Sequence, residues 1–169
     1  MKRTFFLITV ILLVTGCHQS DPKNPYNLPI AATMEEYLVQ VKENPETELT
    51  DLEEIIPGIS LDIAYATSDN FTGVPIYTSP KAFLCRPVAE ALALAQDSLK
   101  KTGLGFKILD AYRPYAATLY FYEVYHDTTF VASPRTGSIH NRGAAVDLTL
   151  ICLETGNELE MPTPFDSFS

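Results

Sequence analysis

The sequence lacks the features that mark several large classes of protein. Its 12 lysines and arginines form no run, and its 21 acidic residues bring the formal net charge to -9. A nucleic-acid partner would demand a basic stripe or patch, so none is expected. The longest apolar stretch near the start, Phe5 to Val14, is broken by Thr9. At about ten residues it is half of what a bilayer span needs. No internal repeat appears, so a solenoid is excluded. Only three cysteines and three histidines are present, so any metal or thiol chemistry has few candidates. What remains is a chain of 169 residues, 46% hydrophobic and 11% aromatic, enough for one modest folded domain.

The short apolar stretch has a meaning of its own. Met1-Lys2-Arg3 precedes it and Leu13-Val14-Thr15-Gly16-Cys17 follows. A basic start, a short apolar core and small residues before a cysteine resemble a bacterial lipoprotein signal. The resemblance implies cleavage before Cys17, lipidation of its thiol, and a periplasmic or other extracytoplasmic location with the membrane held through that anchor. Residues 1–16 then form the signal peptide, 17–45 the lipidated Cys17 and a tether, and 46–169 the folded domain. The tether reading rests on the polar, proline-rich run from residue 18 to about 33. Cys85 and Cys152 are left. An oxidising envelope permits a disulfide between them, but two separate thiols is the preferred reading.

Along the domain, Thr33-Met-Glu-Glu36 has the spacing of a capping box and predicts a short helix to about Lys42. Ile59 to Ile63 alternates as a strand does. Pro87 to Lys101 is the clearest helix, with Val88, Leu92, Ala95 and Leu99 on one face and Gly103 as its stop. Phe106 to Leu109 reads as a short buried strand delivering Asp110-Ala-Tyr-Arg113-Pro114. Pro114 opens a second helix to about Tyr125, with Leu119, Tyr120 and Val124 toward the core. Ala144 to Leu150 and Glu158 to Met161 complete the strands. Helices and strands mix without regular alternation, which is an α+β pattern.

Two places carry side chains suited to chemistry. His140 lies in the loop Ser138-Ile-His140-Asn-Arg-Gly143, and Asp147 lies in the apolar run Ala-Ala-Val-Asp147-Leu-Thr-Leu. Imidazole and carboxylate are ordinary zinc ligands, and a carboxylate in an apolar strand is costly unless it is paired or bound to a metal. The residues alone leave open a loop histidine and a hydrogen-bonded aspartate. Arg113 stands after a strand and before a helix, where it is rigid enough to fork onto an oxyanion. A structural ion pair with Asp110 explains it equally well.

Taken in order, Ala64-Tyr65 through Asp69-Asn70-Phe71-Thr72-Gly73, Asp110-Ala-Tyr-Arg113-Pro114, Ser138-Ile-His140 through Asp147, and Met161-Pro-Thr-Pro-Phe165-Asp166 closely resemble the zinc D-alanyl-D-alanine dipeptidases, the VanX-like family. The resemblance runs from about Ile59 to Ser169. It implies a central, mainly antiparallel sheet with flanking helices, of DD-peptidase/Hedgehog-like type. It also implies Zn2+ as cofactor and the dipeptide D-Ala-D-Ala as substrate. His140 and Asp147 match two of the family's three zinc ligands. Arg113 matches its transition-state stabiliser, and Tyr65, Ser138 and Asp166 match substrate-binding residues, with Asp166 anchoring the free amino terminus.

One departure stands out. The family's third ligand and its general base come together in a Glu-x-x-His element. No histidine follows His140 here, and Glu154, Glu158 and Glu160 lack a histidine three positions on. His126 is a poor substitute. The expectation is a C-terminally truncated domain, impaired in catalysis, serving cell-wall peptide turnover outside the cytosol. The alternatives are a catalytically inactive dipeptide-binding lipoprotein and a related peptidoglycan carboxypeptidase.

Overall fold

A computed structural model describes residues 21–168. The signal-peptide and Cys17 lipidation expectations fall outside the described residues. No helix among the described residues is long and apolar enough to cross a membrane.

Helix α1, Met34–Glu43, begins where the capping box predicted. Thr33 accepts from the Glu36 backbone N–H, and the Glu36 side chain reaches back to the Thr33 backbone. None of its residues is buried. Strand β1 (Leu49–Asp51) pairs antiparallel with β3 (Phe83–Cys85) as a separate two-stranded sheet. The four-residue helix α2 (Leu52–Ile55) follows β1 directly, with Asp51 as its cap.

The second sheet has the order β2-β4-β5. Strand β4 (Leu104–Asp110) is central, antiparallel to β5 (Asp147–Cys152) and parallel to the two-residue β2 (Ser60–Leu61). The expected strand at Glu158–Met161 shrinks to a single bridge between Ile151 and Glu158. The α+β class holds. The described sheet is mixed, because β2 runs parallel.

Helix α3 (Arg86–Lys100) packs on this sheet and buries Ala89, Leu92 and Gln96. The expected face is corrected here: Ala95 is exposed, and the buried stripe includes a glutamine. Gln96 is tolerated inside because its Oε1 accepts the Phe106 backbone N–H at 2.8 Å, so no buried polar group is orphaned there. The close approach also needs Gly105, where a Cβ would stand 2.7 Å from Leu153 and 3.2 Å from Gln96. Helix α4 (Tyr115–Val124) buries Tyr115, Ala117, Thr118 and Phe121. Its buried face therefore differs from the one expected, and Tyr120 and Val124 point to solvent. The helix stands where it is expected, with its buried face turned away from the expected one. The aromatic cluster drawing in Phe121 is assembled from distant segments, which local periodicity cannot report.

The core has two parts. Leu52, Ile56, Ile59, Ile63, Leu84 and Ile108 belong to an aliphatic cluster between α3 and the sheets. Tyr65, Ala117, Phe121 and Val131 form a second cluster, with Phe71, Tyr77 and Tyr125 packed against it. Cys85 and Cys152 are separate thiols.

Candidate metal and dipeptide site

The site grows out of an irregularity in the sheet. The β4–β5 register is regular from Leu104↔Cys152 to Ile108↔Leu148 and then shifts, pairing Asp110 with Asp147. Such a bulge re-aims side chains at a strand end. Here it sets two carboxylates side by side at the mouth of the sheet. Asp147 thus starts β5, rather than lying within a strand that begins at Ala144 as expected.

Asp110 is fully buried, and both of its oxygens are hydrogen-bonded. Its Oδ2 accepts from Arg113 Nε at 3.0 Å and Nη2 at 2.7 Å. Its Oδ1 accepts from the Tyr77 hydroxyl at 2.9 Å. Burial pushes the Asp110 carboxyl up from its ordinary value, and the Arg113 cation opposes that push. Burial alone would lower Arg113, but the Asp110 carboxylate, with Tyr65 and Tyr77 beside it, turns the net shift upward and keeps the guanidinium charged. The Arg113 cation also lies over two aromatic rings, 4.9 Å from the Phe121 centroid and 5.4 Å from Tyr65. The ion pair with Asp110 that the sequence left open is therefore real, and it does not consume the arginine. Two of five N–H donors are committed, and Nη2 also stands 3.8 Å from Asp147 Oδ2.

His140 opens a single helical turn, His140–Arg142. Its Nδ1 donates to the Ala111 carbonyl at 2.8 Å. That bond fixes the tautomer and leaves the Nε2 lone pair facing outward, the usual preparation of a ligand histidine. Nε2 lies 3.7 Å from Asp147 Oδ2. The edge of a zinc tetrahedron with bonds near 2.0–2.1 Å is about 3.3 Å, so the pair is spaced as two ligands of one ion. Among the described residues the Asp147 carboxylate accepts no hydrogen bond, and Arg113 Nη2 and His140 Nε2 stand 3.8 and 3.7 Å from its Oδ2. Asp110, His140 and Asp147 each offer an atom within 4.8 Å of the others. Asp110 is already engaged through both oxygens by Arg113 and Tyr77, so orienting the arginine is the role its contacts show. The residues fit zinc as two ligands.

The loop carrying His140 is stapled to the Arg113 turn. Arg113 N–H donates to the His140 carbonyl at 3.1 Å. Asn141 Nδ2 donates to the Arg113 carbonyl and to Thr118 Oγ1, each at 2.8 Å, and Asn141 Oδ1 accepts from Ser138 N–H at 2.6 Å. Ser138 is buried, and its Oγ accepts the His140 backbone N–H at 3.2 Å. Gly143 closes the turn at φ 63°, and an added Cβ would meet the Cys85 nitrogen at 2.8 Å. That nitrogen donates to the Gly143 carbonyl, so the glycine joins the loop to β3.

On the other flank the Tyr65 hydroxyl donates to both Asp166 oxygens, at 2.9 and 3.1 Å. Burial, then the Asp166 charge, push the Tyr65 hydroxyl well above its ordinary range, so it remains a donor. Burial also raises Asp166, against the Tyr65 hydrogen bond and the Arg113 charge. The six domain residues singled out in the sequence thus form one connected group, and His126 is not part of the metal-type cluster. Sequence reasoning missed Tyr77, Asn141 and the Ala111 carbonyl. Asn141, adjacent to His140, carried the only local signal, a polar side chain in a loop that must be held in place.

In this α+β domain a buried arginine fixed by a carboxylate stands beside a histidine–aspartate pair with metal-ligand spacing. The D-ala-D-ala dipeptidase family model matches residues 45–169, and the chain belongs to that family. A D-alanyl-D-alanine dipeptidase of Escherichia coli is 39% identical over 120 residues, covering 71% of this chain and 62% of the relative. One of Enterococcus faecium is 35% identical over 141 residues, covering 72% and 70%. One of Enterococcus faecalis is 34% identical over 138 residues, covering 68% and 67%. The chain therefore spans somewhat over 60% of the length of the Escherichia coli relative.

Proposed function

We propose that this domain binds D-alanyl-D-alanine and takes part in its zinc-dependent hydrolysis, on a DD-peptidase/Hedgehog-like arrangement of sheet and helices. The observation that carries the reading is the Asp110–Arg113 pair set against His140 and Asp147 across the β4–β5 bulge. Zinc, when bound, supplies Lewis acidity and an activated water. His140 Nε2 and Asp147 would hold it. Arg113, its guanidinium plane locked by Asp110 and two rings, has donors left for the oxyanion that develops as the peptide carbonyl is attacked. Asp166 offers a carboxylate to the substrate's ammonium group, and Tyr65 fixes its orientation. Ser138 shapes the loop that presents His140.

Residues 1–169 contain two of the usual three ligands, and no Glu-x-x-His lies after Asp147. A polypeptide of these residues alone is expected to bind zinc weakly and turn over slowly. The Val14-Thr15-Gly16-Cys17 signal supports placement in the bacterial cell envelope, anchored through a lipid on Cys17. That placement suits turnover of wall-derived dipeptides rather than destruction of a cytosolic pool.

The test begins by sequencing the gene past the codon for Ser169 and purifying its full product. Zinc content, D-alanine release and dipeptide affinity are then measured for that product and for His140→Ala and Arg113→Ala. Zinc loss in the first variant and retained zinc with slowed turnover in the second support the reading. Dipeptide binding without turnover in the parent leaves the dipeptide-binding lipoprotein. A folded product that takes up neither zinc nor dipeptide overturns both.

A further inference from the structure

Asp166 is held in a way that its hydrogen bonds do not explain. It sits at the tip of a turn closed by Ser167 N–H donating to the Pro164 carbonyl at 3.3 Å. Its φ is 56°, in the left-handed region that aspartate tolerates better than most residues but not freely. It lies in no helix or strand, and a loop tip of this kind would ordinarily move.

What pins it is aromatic. Phe168, two residues on, stacks on Tyr125 at 4.7 Å with the planes 25° apart. It also meets Phe71 edge-on at 5.2 Å and Phe130 at 5.4 Å. Phe71 in turn packs on Tyr65 at 6.2 Å and on Phe121 at 5.1 Å. On the other side Phe165 meets the Tyr65 ring at 6.0 Å. The ring that carries Asp166's hydrogen-bond donor and the rings that carry its turn are therefore one continuous cluster, and that cluster also lies beneath Arg113.

We propose that Phe168 is a positioning residue: seated among Tyr125, Phe71 and Phe130, it holds Asp166 at Tyr65 and so sets the requirement for a free amino terminus in the bound peptide. The proposal rests on the reading of the site as a dipeptide site. Phe168 touches no substrate in this scheme. It removes the freedom of the Pro164–Ser167 turn, so the carboxylate meets the ammonium group without an ordering cost. The three aromatic pairs of Phe168 together offset the cost of holding one turn in a strained conformation.

The experiment is calorimetric binding to the full chain loaded with zinc, using D-alanyl-D-alanine and its N-acetylated form, which lacks the ammonium group. The proteins are the parent, Phe168→Ala, Phe168→Leu and Asp166→Asn. The parent should prefer the free dipeptide. Phe168→Ala should weaken the free dipeptide about ten-fold and leave the acetylated form unchanged, so the preference collapses toward that of Asp166→Asn. Phe168→Leu, which keeps apolar bulk in the same place, should recover part of it and guards against a fold lost to the smaller side chain. Equal weakening of both ligands, or a preference that survives in Phe168→Ala while Asp166→Asn abolishes it, overturns the role of Phe168 alone. A folded parent that shows no preference for the free amino terminus defeats the dipeptide reading, and this proposal with it.

Discussion

The two halves of the core are built differently and do different work. The aliphatic half (Leu52, Ile56, Ile59, Ile63, Leu84 and Ile108) is apolar to its last atom. Its side chains contribute buried area and little else, at about 25 cal/mol per Å². The aromatic half has polar handles. Tyr65 and Tyr77 keep rings in the cluster while their hydroxyls reach Asp166 and Asp110, and Arg113 lies across its faces. Tyrosine suits this position because one side chain can be both core and hydrogen-bond donor. The aliphatic half therefore holds the fold, and the aromatic half transmits the fold to the site. Substitutions that separate stability from selectivity test that division.

Asp110 stands where the halves meet, at the end of the strand carrying Ile108, and its loss should have the largest effect. Asp110→Ala leaves Arg113 buried without its partner and Tyr77 without its acceptor. Removing one member of a buried pair costs about 3–5 kcal/mol. Urea unfolding should show that loss, and D-alanine release should fall with it because the guanidinium is no longer aimed. A variant of parental stability would mean that Arg113 finds another anchor and that Asp110 is not the hinge of the site. Ile108→Ala comes next. It lies fully inside the aliphatic half, where such truncations cost about 2–5 kcal/mol. Unfolding should shift by that amount, while the ratio of affinities for free and acetylated dipeptide stays at its parental value. A changed ratio would show that the halves are coupled.

The same division decides how much was legible in the sequence. Elements with local causes were readable: the Thr33 capping box, the proline start of α3 and its stop at Gly103 all lie within a few residues of what they control. His140, Asp147 and Arg113 could be singled out because such residues at strand and loop junctions invite a chemical account. The phase of α4 was not readable, and on α3 Ala95 and Gln96 were exchanged while Val88 and Leu92 lie where expected. Gln96 is inside only because Phe106 offers a backbone N–H, and Phe121 is inside only because Tyr65 and Phe71 arrive from another segment. The bulge that places Asp110 opposite Asp147 is likewise a property of two strands together, and neither sequence shows it alone. Tyr77, 33 residues from the Asp110 it supports, had no local mark at all.

Phe121→Leu probes the aromatic half without touching its polar handles. The ring lies 4.6 Å from Tyr65 and 4.9 Å from the Arg113 guanidinium. Leucine keeps the site apolar, so the stability cost should be about 1–2 kcal/mol, well below that of full truncation to alanine. The cation–π contact, about 0.5–2 kcal/mol, is lost as well. Turnover should therefore fall several-fold while zinc content is unchanged. A fall in stability as large as that of Ile108→Ala, with turnover preserved in the folded fraction, would make the aromatic half ordinary core.

The smallest effect is expected at Thr33→Ala. A lost N-cap costs a helix about 1 kcal/mol, but α1 has no buried residue through which to pass that cost to the domain. Its link to the sheets is the Tyr37 hydroxyl, which accepts the Leu49 backbone N–H at 2.8 Å. Hydrogen exchange should show the amides of Met34–Glu43 losing protection while those of β4 keep theirs, because exposed elements open locally at less than the global free energy. Dipeptide selectivity should not move. If the whole domain instead lost the full amount in urea, the Tyr37–Leu49 bond would couple α1 to the folding unit, and the molecule would have three cooperating parts rather than two.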